Sequence, residues 1–254
     1  MIMTIDVGNT NITVGVFRGD EVVSNFRITT KMPRTSDEYG MLLSNLLEQN
    51  SISHDDIEDA IIASVVPNVM HSLEGAIIKY FSIRPIIVEP GTKTGIRVVT
   101  ENPRQIGADR LANAAGAVAY YGYPCIVVDF GTAVTFDVIG PERTYLGGAI
   151  APGLASMGDY LARNTALLPA IEPHEPKHVI GTSTVEAMHS GAVYGYRGMV
   201  KEILAKLEEE MGKRPTVVAT GGDAALIARG VPRIDHVDPD ITLNGLRMVA
   251  GLNL

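Results

Sequence analysis

The chain has 254 residues, of which 46% are hydrophobic and 20% charged, a composition typical of globular proteins and too apolar for a disordered one. Its 21 Lys and Arg against 29 Asp and Glu give a formal net charge of -8, so the average surface field repels nucleic acids and anionic lipids. We therefore expect no nucleic-acid partner and no membrane partner. The length allows one large α/β domain or two domains of about 125 residues each.

The cysteine count and the apolar runs favour the cytoplasm. The single Cys125 lies within an apolar run and cannot form an internal disulfide. The first apolar run is short, follows no basic region and contains Asp6, unlike a signal peptide. No uninterrupted apolar stretch approaches the roughly 18 residues of a membrane helix. We expect a cytoplasmic protein.

The first half predicts strands followed by alternating helices and strands. MIMTID predicts a buried strand, and residues 11–28 predict a meander with a turn at Gly19 and Asp20. SDEYGMLLSNLLEQN has helical spacing, with Ser36 as a candidate N-cap. AIIASVVP predicts a strand, VMHSLEGAIIKYF a helix and PIIVE another strand.

The second half repeats this order. CIVVDFGTAVTFDVI predicts strand, turn and strand, TVEAMHSGAVYGYRGMVKEILAKLEEEMG a long helix, TVVATGG a strand, and DAALIARG the start of a helix. When the sequences of the two predicted hairpins are aligned, Asp6 and Gly8 match Asp129 and Gly131. Two copies at about half the chain length indicate two related domains, 1–115 and 116–254, with a helix-prone run over 112–119 near the boundary.

Each hairpin carries an Asp-x-Gly turn that suits a nucleotide triphosphate. Glycine lets backbone N–H groups approach a phosphate closely, and the neighbouring Thr and Asn side chains add hydrogen bonds. The Asp would need a cation between itself and the phosphates. The alternative is that both turns use Asp and Gly for backbone geometry alone, but the duplication favours the nucleotide. No GxxxxGK[ST] follows a strand and no GxGxxG opens a helix.

Four segments carry a family resemblance: DVGNTNIT, NPRQIGADR, VVDFGTAVTFD and TSTVEAMHSGAVYG. On them the chain resembles the type III pantothenate kinases of the actin, sugar kinase and heat-shock chaperone ATPase superfamily. The resemblance implies an α/β fold with two ribonuclease H-like domains, mixed sheets with flanking helices, and nucleotide in the interdomain cleft. It also implies a homodimer that uses ATP, Mg²⁺ and K⁺ or NH₄⁺ to phosphorylate pantothenate, the first step of coenzyme A biosynthesis.

The resemblance also assigns roles to residues. It implies that Asp109 accepts a proton and that Asp129 binds potassium, while Gly221 and Gly222 resemble an adenosine loop that precedes Asp223. The implied ATP contacts are Asp6, Val7, Gly8, Asn9, Thr10, Asn11, Ile12, Thr13 and Thr132. The implied pantothenate contacts are Gly107, Ala108, Asp109, Arg110 and Thr184.

The chemistry of the GADR segment agrees with these roles. A primary alcohol that attacks a phosphate needs a carboxylate within hydrogen-bonding reach, and Asp109 can supply it. The Arg110 guanidinium can donate two parallel hydrogen bonds to the carboxylate of an acidic substrate. The structural alternative is that Asp109 caps a helix and Arg110 pairs with a surface acid.

Two sequence features need separate interpretation. Many family members place an aromatic residue where this chain has Thr100, so Tyr145 or a partner-subunit residue would close the substrate pocket, or pantothenate would bind more weakly. HEPKH, between His174 and His178, matches the HExxH pattern of zinc proteases. Pro176 interrupts it and opposes the helix that such a site requires. We expect these histidines in a loop.

Other functions remain open at the sequence level. A kinase for a sugar or another small acid shares the nucleotide turns but does not account for NPxxxGADR. A catalytically idle paralogue that acts as a regulatory or binding protein is a second class, although the acidic net charge opposes direct DNA contact. A phosphohydrolase, in which water replaces the alcohol, is a third.

Overall fold

The computed structural model describes all residues from 1 to 254. Their contacts divide the chain into two compact units, each discontinuous in sequence. Unit 1 comprises residues 1–96, 101–119 and 241–254, and unit 2 comprises residues 97–100 and 120–240. These units differ from the predicted division into 1–115 and 116–254, chiefly because the C-terminal residues group with unit 1. The limits of the two ribonuclease H-like domains stay a prediction.

The chain forms eleven strands and seven α-helices, with three single-turn 3₁₀ helices between them. In chain order they are β1 (Ile2–Val7), β2 (Asn11–Arg18), β3 (Glu21–Thr29), α1 (Ser36–Gln49), β4 (Asp59–Ser64), α2 (Pro67–Phe81), β5 (Ile86–Ile87), β6 (Arg97–Val98), α3 (Ala108–Tyr121), β7 (Cys125–Phe130), β8 (Ala133–Gly140), β9 (Thr144–Pro152), α4 (Leu154–Asn164), α5 (Thr184–Met211), β10 (Thr216–Gly221), α6 (Ala224–Ala228), β11 (His236–Val237) and α7 (Ile241–Gly251).

Unit 1 is built on a mixed sheet with the strand order β3-β2-β1-β4-β5. Strand β1 pairs antiparallel with β2 and parallel with β4. Successive residues of β4 point to opposite faces, so Ala60 and Ile62 join one apolar core while Ile61 and Ala63 join another. Helices α1 and α2 supply the first core, and α3 and α7 supply the second. Burial on both faces explains the nearly continuous apolar run of AIIAS.

The start of α1 differs by one residue from the prediction. Thr35, not Ser36, is the N-cap, and its hydroxyl accepts a hydrogen bond from the backbone N–H of Glu38. The Glu38 carboxylate in turn accepts from the Thr35 N–H at 2.7 Å. This capping box satisfies two otherwise unpaired groups at the helix start, which a Ser36 cap followed by Tyr39 could not do.

Unit 2 contains a six-stranded mixed sheet with the order β11-β10-β7-β8-β9-β6. Its core lies between this sheet and the long helix α5, which contributes Tyr196, Val200 and Leu204 at helical spacing. Gly212 ends α5 in the left-handed conformation, with φ of 60°. Cys125 is fully buried, and burial raises the pKa of its thiol to about 12, so it acts as a small apolar residue.

The two sheets confirm the internal repeat. In unit 1 the third, second, first, fourth and fifth strands lie side by side in that order. In unit 2 the strands β9, β8, β7, β10 and β11 are the third, second, first, fourth and fifth of the second half in the same spatial order. The predicted α/β fold with two mixed sheets and flanking helices is therefore confirmed. No helix combines the length and apolar character that crossing a bilayer requires.

Candidate active site

The first Asp-x-Gly turn joins β1 to β2. Asp6 lies one residue before the end of β1, directly opposite Thr13 of β2. The turn closes through a hydrogen bond from the Gly8 N–H to the carbonyl of Asn11, at 3.0 Å. Thr30, after β3, fixes the turn from the side because its hydroxyl donates to the Gly8 carbonyl at 2.8 Å. The turn is thus held by one backbone bond and by the Thr30 hydroxyl, while the side chains of Asn9, Thr10 and Asn11 are exposed.

The second turn repeats this geometry in unit 2. Asp129 again lies one residue before the end of its strand, opposite Thr135 of β8. The Gly131 N–H donates to the Ala133 carbonyl at 3.0 Å, so this loop is one residue shorter than the first. The Gly153 N–H donates to the Thr132 carbonyl at 3.1 Å and ties the turn to the start of α4. Both predicted turns therefore present an acid and a glycine at the carboxyl end of a central strand.

Gly221 allows the Asp129 carboxylate to lie against the end of β10. A Cβ at this position would stand 2.7 Å from Asp129 Oδ1 and 2.5 Å from the Phe130 carbonyl. The backbone of Gly221 also has φ of 91°, which side chains rarely adopt. Gly222 faces open space. The Asp223 side chain makes no capping hydrogen bond with α6, and burial raises the pKa of its carboxyl.

The GADR segment forms the start of α3 in unit 1. The helix begins at Ala108, and Asp109 lies in its first turn, partly buried. Its Oδ1 accepts a hydrogen bond from the Arg110 N–H at 2.8 Å. A Cβ on Gly107 would overlap this carboxylate oxygen, so the glycine is what lets the carboxylate fold back toward residue 107. The carboxylate thus pairs with one backbone N–H at the start of the helix and stays partly exposed.

The structure brings GADR to the edge of the sheet that carries the first turn. A Cβ on Gly107 would contact Val65 Cγ1 at 3.5 Å. Val65 directly follows β4, and its N–H donates to the carbonyl of Val7 at the end of β1, at 3.1 Å. Strands β1 and β4 are parallel, so their carboxyl ends share one edge, where α/β proteins bind ligands. Asp6 and Asp109 therefore belong to the same edge of unit 1.

Thr184 occupies a different place in unit 2. It is the exposed first residue of α5, and Ser183 before it caps the helix. Thr184 lines an apolar cavity of about 440 Å³ together with Leu161 of α4 and Met188 of α5. Neither Asp129 nor Thr132 lines this cavity. Its role as a pantothenate contact stays a prediction.

Sequence reasoning missed a buried polar cluster next to the second turn. Asp137 of β8 is fully buried and accepts hydrogen bonds from the Tyr145 hydroxyl and from Thr135 Oγ1, the latter at 3.1 Å. Tyr145 is only 1% exposed, so its hydroxyl serves this cluster rather than an open pocket. The pattern Thr-x-Asp, with two polar residues on one face of an apolar strand, was the available signal.

The expectation for the HEPKH segment is confirmed. Residues 171–183 contain no helix or strand, so His174 and His178 do not form the one-turn pair of a zinc protease. No group of three or more His, Cys, Asp and Glu side chains in the chain can hold a metal ion.

Comparison with known proteins decides the family. The family model for type III pantothenate kinase matches residues 2–206. A type III pantothenate kinase of Akkermansia muciniphila is 72% identical over 195 residues, which cover 77% of this chain and 79% of the relative. The enzyme of the same name from Agathobacter rectalis is 53% identical over 250 residues, or 98% and 96% of the two chains. This chain belongs to the type III pantothenate kinase family.

Solved structures agree with the fold of a type III pantothenate kinase. A Campylobacter jejuni protein described as a Baf family transcriptional activator superposes with a TM-score of 0.63 at 18% identity, over 99% of this chain and 98% of that one. The ROK hexokinase of Thermus thermophilus gives 0.51 at 13% identity, over 99% of each chain. At such identities the likeness concerns the fold. The family assignment makes the chain a kinase, and the curated relatives match it over most of their length.

Proposed function

We propose that Asp109 accepts the proton of the pantothenate hydroxyl as that oxygen attacks the terminal phosphate of ATP. The reaction of the family is the ATP-dependent phosphorylation of pantothenate to 4'-phosphopantothenate, the first step of coenzyme A biosynthesis. The observation that carries the assignment of Asp109 is its position in the first turn of α3, beside the shared carboxyl edge of β1 and β4. A general base must lie within hydrogen-bonding reach of the proton that it removes.

The two Asp-x-Gly turns are proposed to hold the nucleotide. The residues of the first turn, 6–13, offer backbone N–H groups and exposed Asn and Thr side chains, and Thr132 offers the same in the second. Asp6 would hold Mg²⁺ together with phosphate oxygens, since magnesium is commonly bound by one or two carboxylates and the substrate. When bound, the metal neutralises the charge that develops on the transferred phosphoryl group.

Arg110 and Thr184 are proposed as contacts for the acidic substrate. Pantothenate carries a carboxylate, and a protein of net charge -8 needs a local cation to bind it. Arg110 directly follows the proposed base, so it can anchor the carboxylate with two parallel hydrogen bonds. Thr184 would add a hydroxyl contact from the start of α5. Residues 107 and 108 would contact the substrate through their backbone N–H and carbonyl groups.

The proposed reaction is tested with a substrate panel. ADP release is measured with ATP and, in separate assays, pantothenate, a sugar, another small hydroxy acid or no acceptor. We expect turnover with pantothenate that exceeds the others, with one phosphate transferred per ADP. Equal rates without any acceptor would indicate a phosphohydrolase, and preference for a sugar would reassign the acceptor.

Gly107→Ala provides a test of Asp109 that leaves the carboxylate in the chain. The added methyl group overlaps Asp109 Oδ1, so the carboxylate must turn away from its present position. We expect kcat to fall by about 10-fold or more, since misplacement of a catalytic group by about 1 Å can cost 10²-fold. The matched control is Gly195→Ala in α5, where nothing lies within 4 Å of the new methyl group. Unchanged kcat in Gly107→Ala, with the same fold by circular dichroism, would separate Asp109 from the chemistry.

Asp129 is proposed to bind the monovalent cation, K⁺ or NH₄⁺. Its carboxylate is fixed beside Gly221 and can contribute one oxygen to a cation that also contacts the triphosphate. We expect Asp129→Asn to abolish the stimulation of the rate by potassium over sodium at equal ionic strength. The control is Glu210→Gln, an exposed acid near the end of α5. Retained stimulation in Asp129→Asn would show that the cation lies elsewhere.

A cytoplasmic homodimer is the proposed state of the protein. Three side chains of unit 2, Tyr160, Leu167 and Ile180, are 66%, 89% and 84% exposed. All three lie in one stretch of the chain, 160–180, and a contiguous exposed apolar patch is typical of a surface that another subunit covers. The start of α5, with Thr184, lies in the same part of the chain. A second subunit could therefore cover the substrate contact.

A further inference from the structure

A small cavity in unit 2 has a basic lining that the kinase reaction does not use. It measures about 180 Å³ and lies between the segment 174–182 and the first turns of α5. Its polar lining consists of His174, Lys177, His178, Thr182, Glu186 and His189. Four of these six side chains are nitrogen bases that carry, or can acquire, positive charge. The segment leads directly into the N-terminal end of the 28-residue helix α5, where Ser183 is the N-cap.

His189 provides an independent indication of a ligand. His189 lies in α5 and is only 6% exposed. Its Nδ1 is buried and has no hydrogen-bond partner. Its neighbour is the ring of His174, with centroids 3.8 Å apart and planes tilted by 48°. A buried, unsatisfied ring nitrogen costs free energy, so a polar ligand or water in the adjacent cavity would be stabilising.

An ion pair between the buried Arg197 and the more exposed Glu175 holds the segment that closes this cavity. Arg197 of α5 is 5% exposed and donates two hydrogen bonds to the Glu175 carboxylate, at 2.8 and 2.6 Å. It donates a third to the Leu226 carbonyl at 2.6 Å. Glu175 lies between His174 and Lys177 in sequence, so this anchor positions both lining residues. The hydrogen bonds from Arg197 lower the pKa of Glu175, which keeps the anchor ionised.

The charges around the cavity favour an anion once a histidine is protonated. The lining contains one acid, Glu186, whose Oε2 accepts hydrogen bonds from Thr182 N and Oγ1 at 2.8 and 2.7 Å. These bonds lower the pKa of Glu186 and hold its carboxylate beside Thr182, at one side of the cavity. Burial, and then the charge of His174, lower the pKa of His189. A bound anion opposes both effects and adds a hydrogen-bond acceptor.

We propose that this cavity binds a small oxyanion of the phosphate class between Lys177, His178 and the protonated ring of His189. Oxyanions accept several charge-assisted hydrogen bonds from different directions, as this lining offers. A transition metal is disfavoured, because no group of three or more ligand side chains in the chain has the required arrangement. The inference does not depend on the roles proposed for Asp109 or for the two turns.

The sign of the pH dependence follows from linkage. An anion that binds the protonated form of His189 raises the pKa of this residue, and its own affinity increases as the pH falls. The 254-residue chain contains six histidines, so isotopic labelling of the histidine rings gives six signals to assign. His189→Gln and His174→Gln identify two of them. The probe is inorganic phosphate, titrated from pH 5 to 8 against sodium chloride of equal ionic strength.

We expect phosphate to raise the pKa of His189 by about one unit relative to chloride. Lys177→Gln should reduce this shift to less than half, and Lys201→Gln, which removes one exposed lysine elsewhere in α5, should leave it unchanged. An equal pKa in phosphate and chloride would overturn the proposal. So would a phosphate shift of the same size in Lys177→Gln, because the anion would then be acting at another place.

Discussion

Asp109→Asn is expected to lower kcat by about 10²- to 10⁴-fold while the protein keeps its fold and its affinity for ATP. The amide has the shape of the carboxylate and can still accept the hydrogen bond from the Arg110 N–H through its oxygen. It cannot accept the proton of the attacking hydroxyl. The start of α3 should therefore survive, and only the chemical step should slow. The measurement is ADP release at saturating ATP and pantothenate, with ATP affinity from calorimetry.

The control for this variant is Glu48→Gln, which neutralises an exposed acid near the end of α1. It removes one negative charge from the same unit without touching the edge formed by β1 and β4. It should keep the turnover of the unaltered protein. Wild-type turnover in Asp109→Asn would show that Asp109 serves only to stabilise the start of α3. A collapse of ATP binding together with kcat would show that the variant disturbs the nucleotide turn instead.

Gly245→Ala is expected to destabilise the protein by about 3 kcal/mol, the upper part of the usual range for overpacking. Helix α7 crosses α3 with backbones in contact, and a Cβ on Gly245 would overlap the Ala112 carbonyl. On the other helix a Cβ on Gly116 would stand 2.5 Å from the Ile241 carbonyl. Thr242 adds a hydrogen bond to the buried Asn113 at 2.6 Å. Neither helix can move away from the other without breaking this hydrogen bond. The denaturation midpoint in urea should therefore fall.

Gly251→Ala is the matched control for this variant. It lies at the end of the same helix, and nothing stands within 4 Å of the added methyl group. Its effect on the free energy of unfolding should stay within about 1 kcal/mol, the intrinsic helical difference between Gly and Ala. Equal effects of the two substitutions would mean that α7 and α3 can separate freely. Because α3 also carries Asp109, a displaced α3 in Gly245→Ala should lower kcat as well.

Most of the secondary structure could be predicted, because local periodicity determines it. The long helix predicted over 184–212 begins at Thr184 as expected and ends one residue earlier, at Met211, because Gly212 adopts the left-handed conformation. Strand β9 and helices α4 and α7 were not predicted. Neither were strands β6 and β11, which at two residues each are too short to show a sequence period. The cap of α1 was misplaced by one residue, since Thr35 and Ser36 are chemically similar and only the pairing with Glu38 distinguishes them.

The sequence indicated the candidate residues of the site but not the contacts that hold them in place. The acid and glycine of each turn stand out because a charged residue interrupts an apolar strand. These contacts come from distant parts of the chain. Gly221 lies beside Asp129, and Val65 lies between Gly107 and Val7. No local pattern encodes these contacts. The anchor of Glu175 on Arg197 is of the same kind, because it joins a segment without regular structure to the buried face of a helix.

The sequence by itself determined the repeated strand order, the two Asp-x-Gly turns and the family, since these depend on residue type and spacing along the chain. Only the tertiary structure decided that α7 packs on unit 1, that GADR reaches the edge formed by β1 and β4, and that four basic side chains line one cavity. The physical reason is that close packing and hydrogen bonding depend on distance in space, and residues far apart in the chain become neighbours only when the sheets and helices assemble.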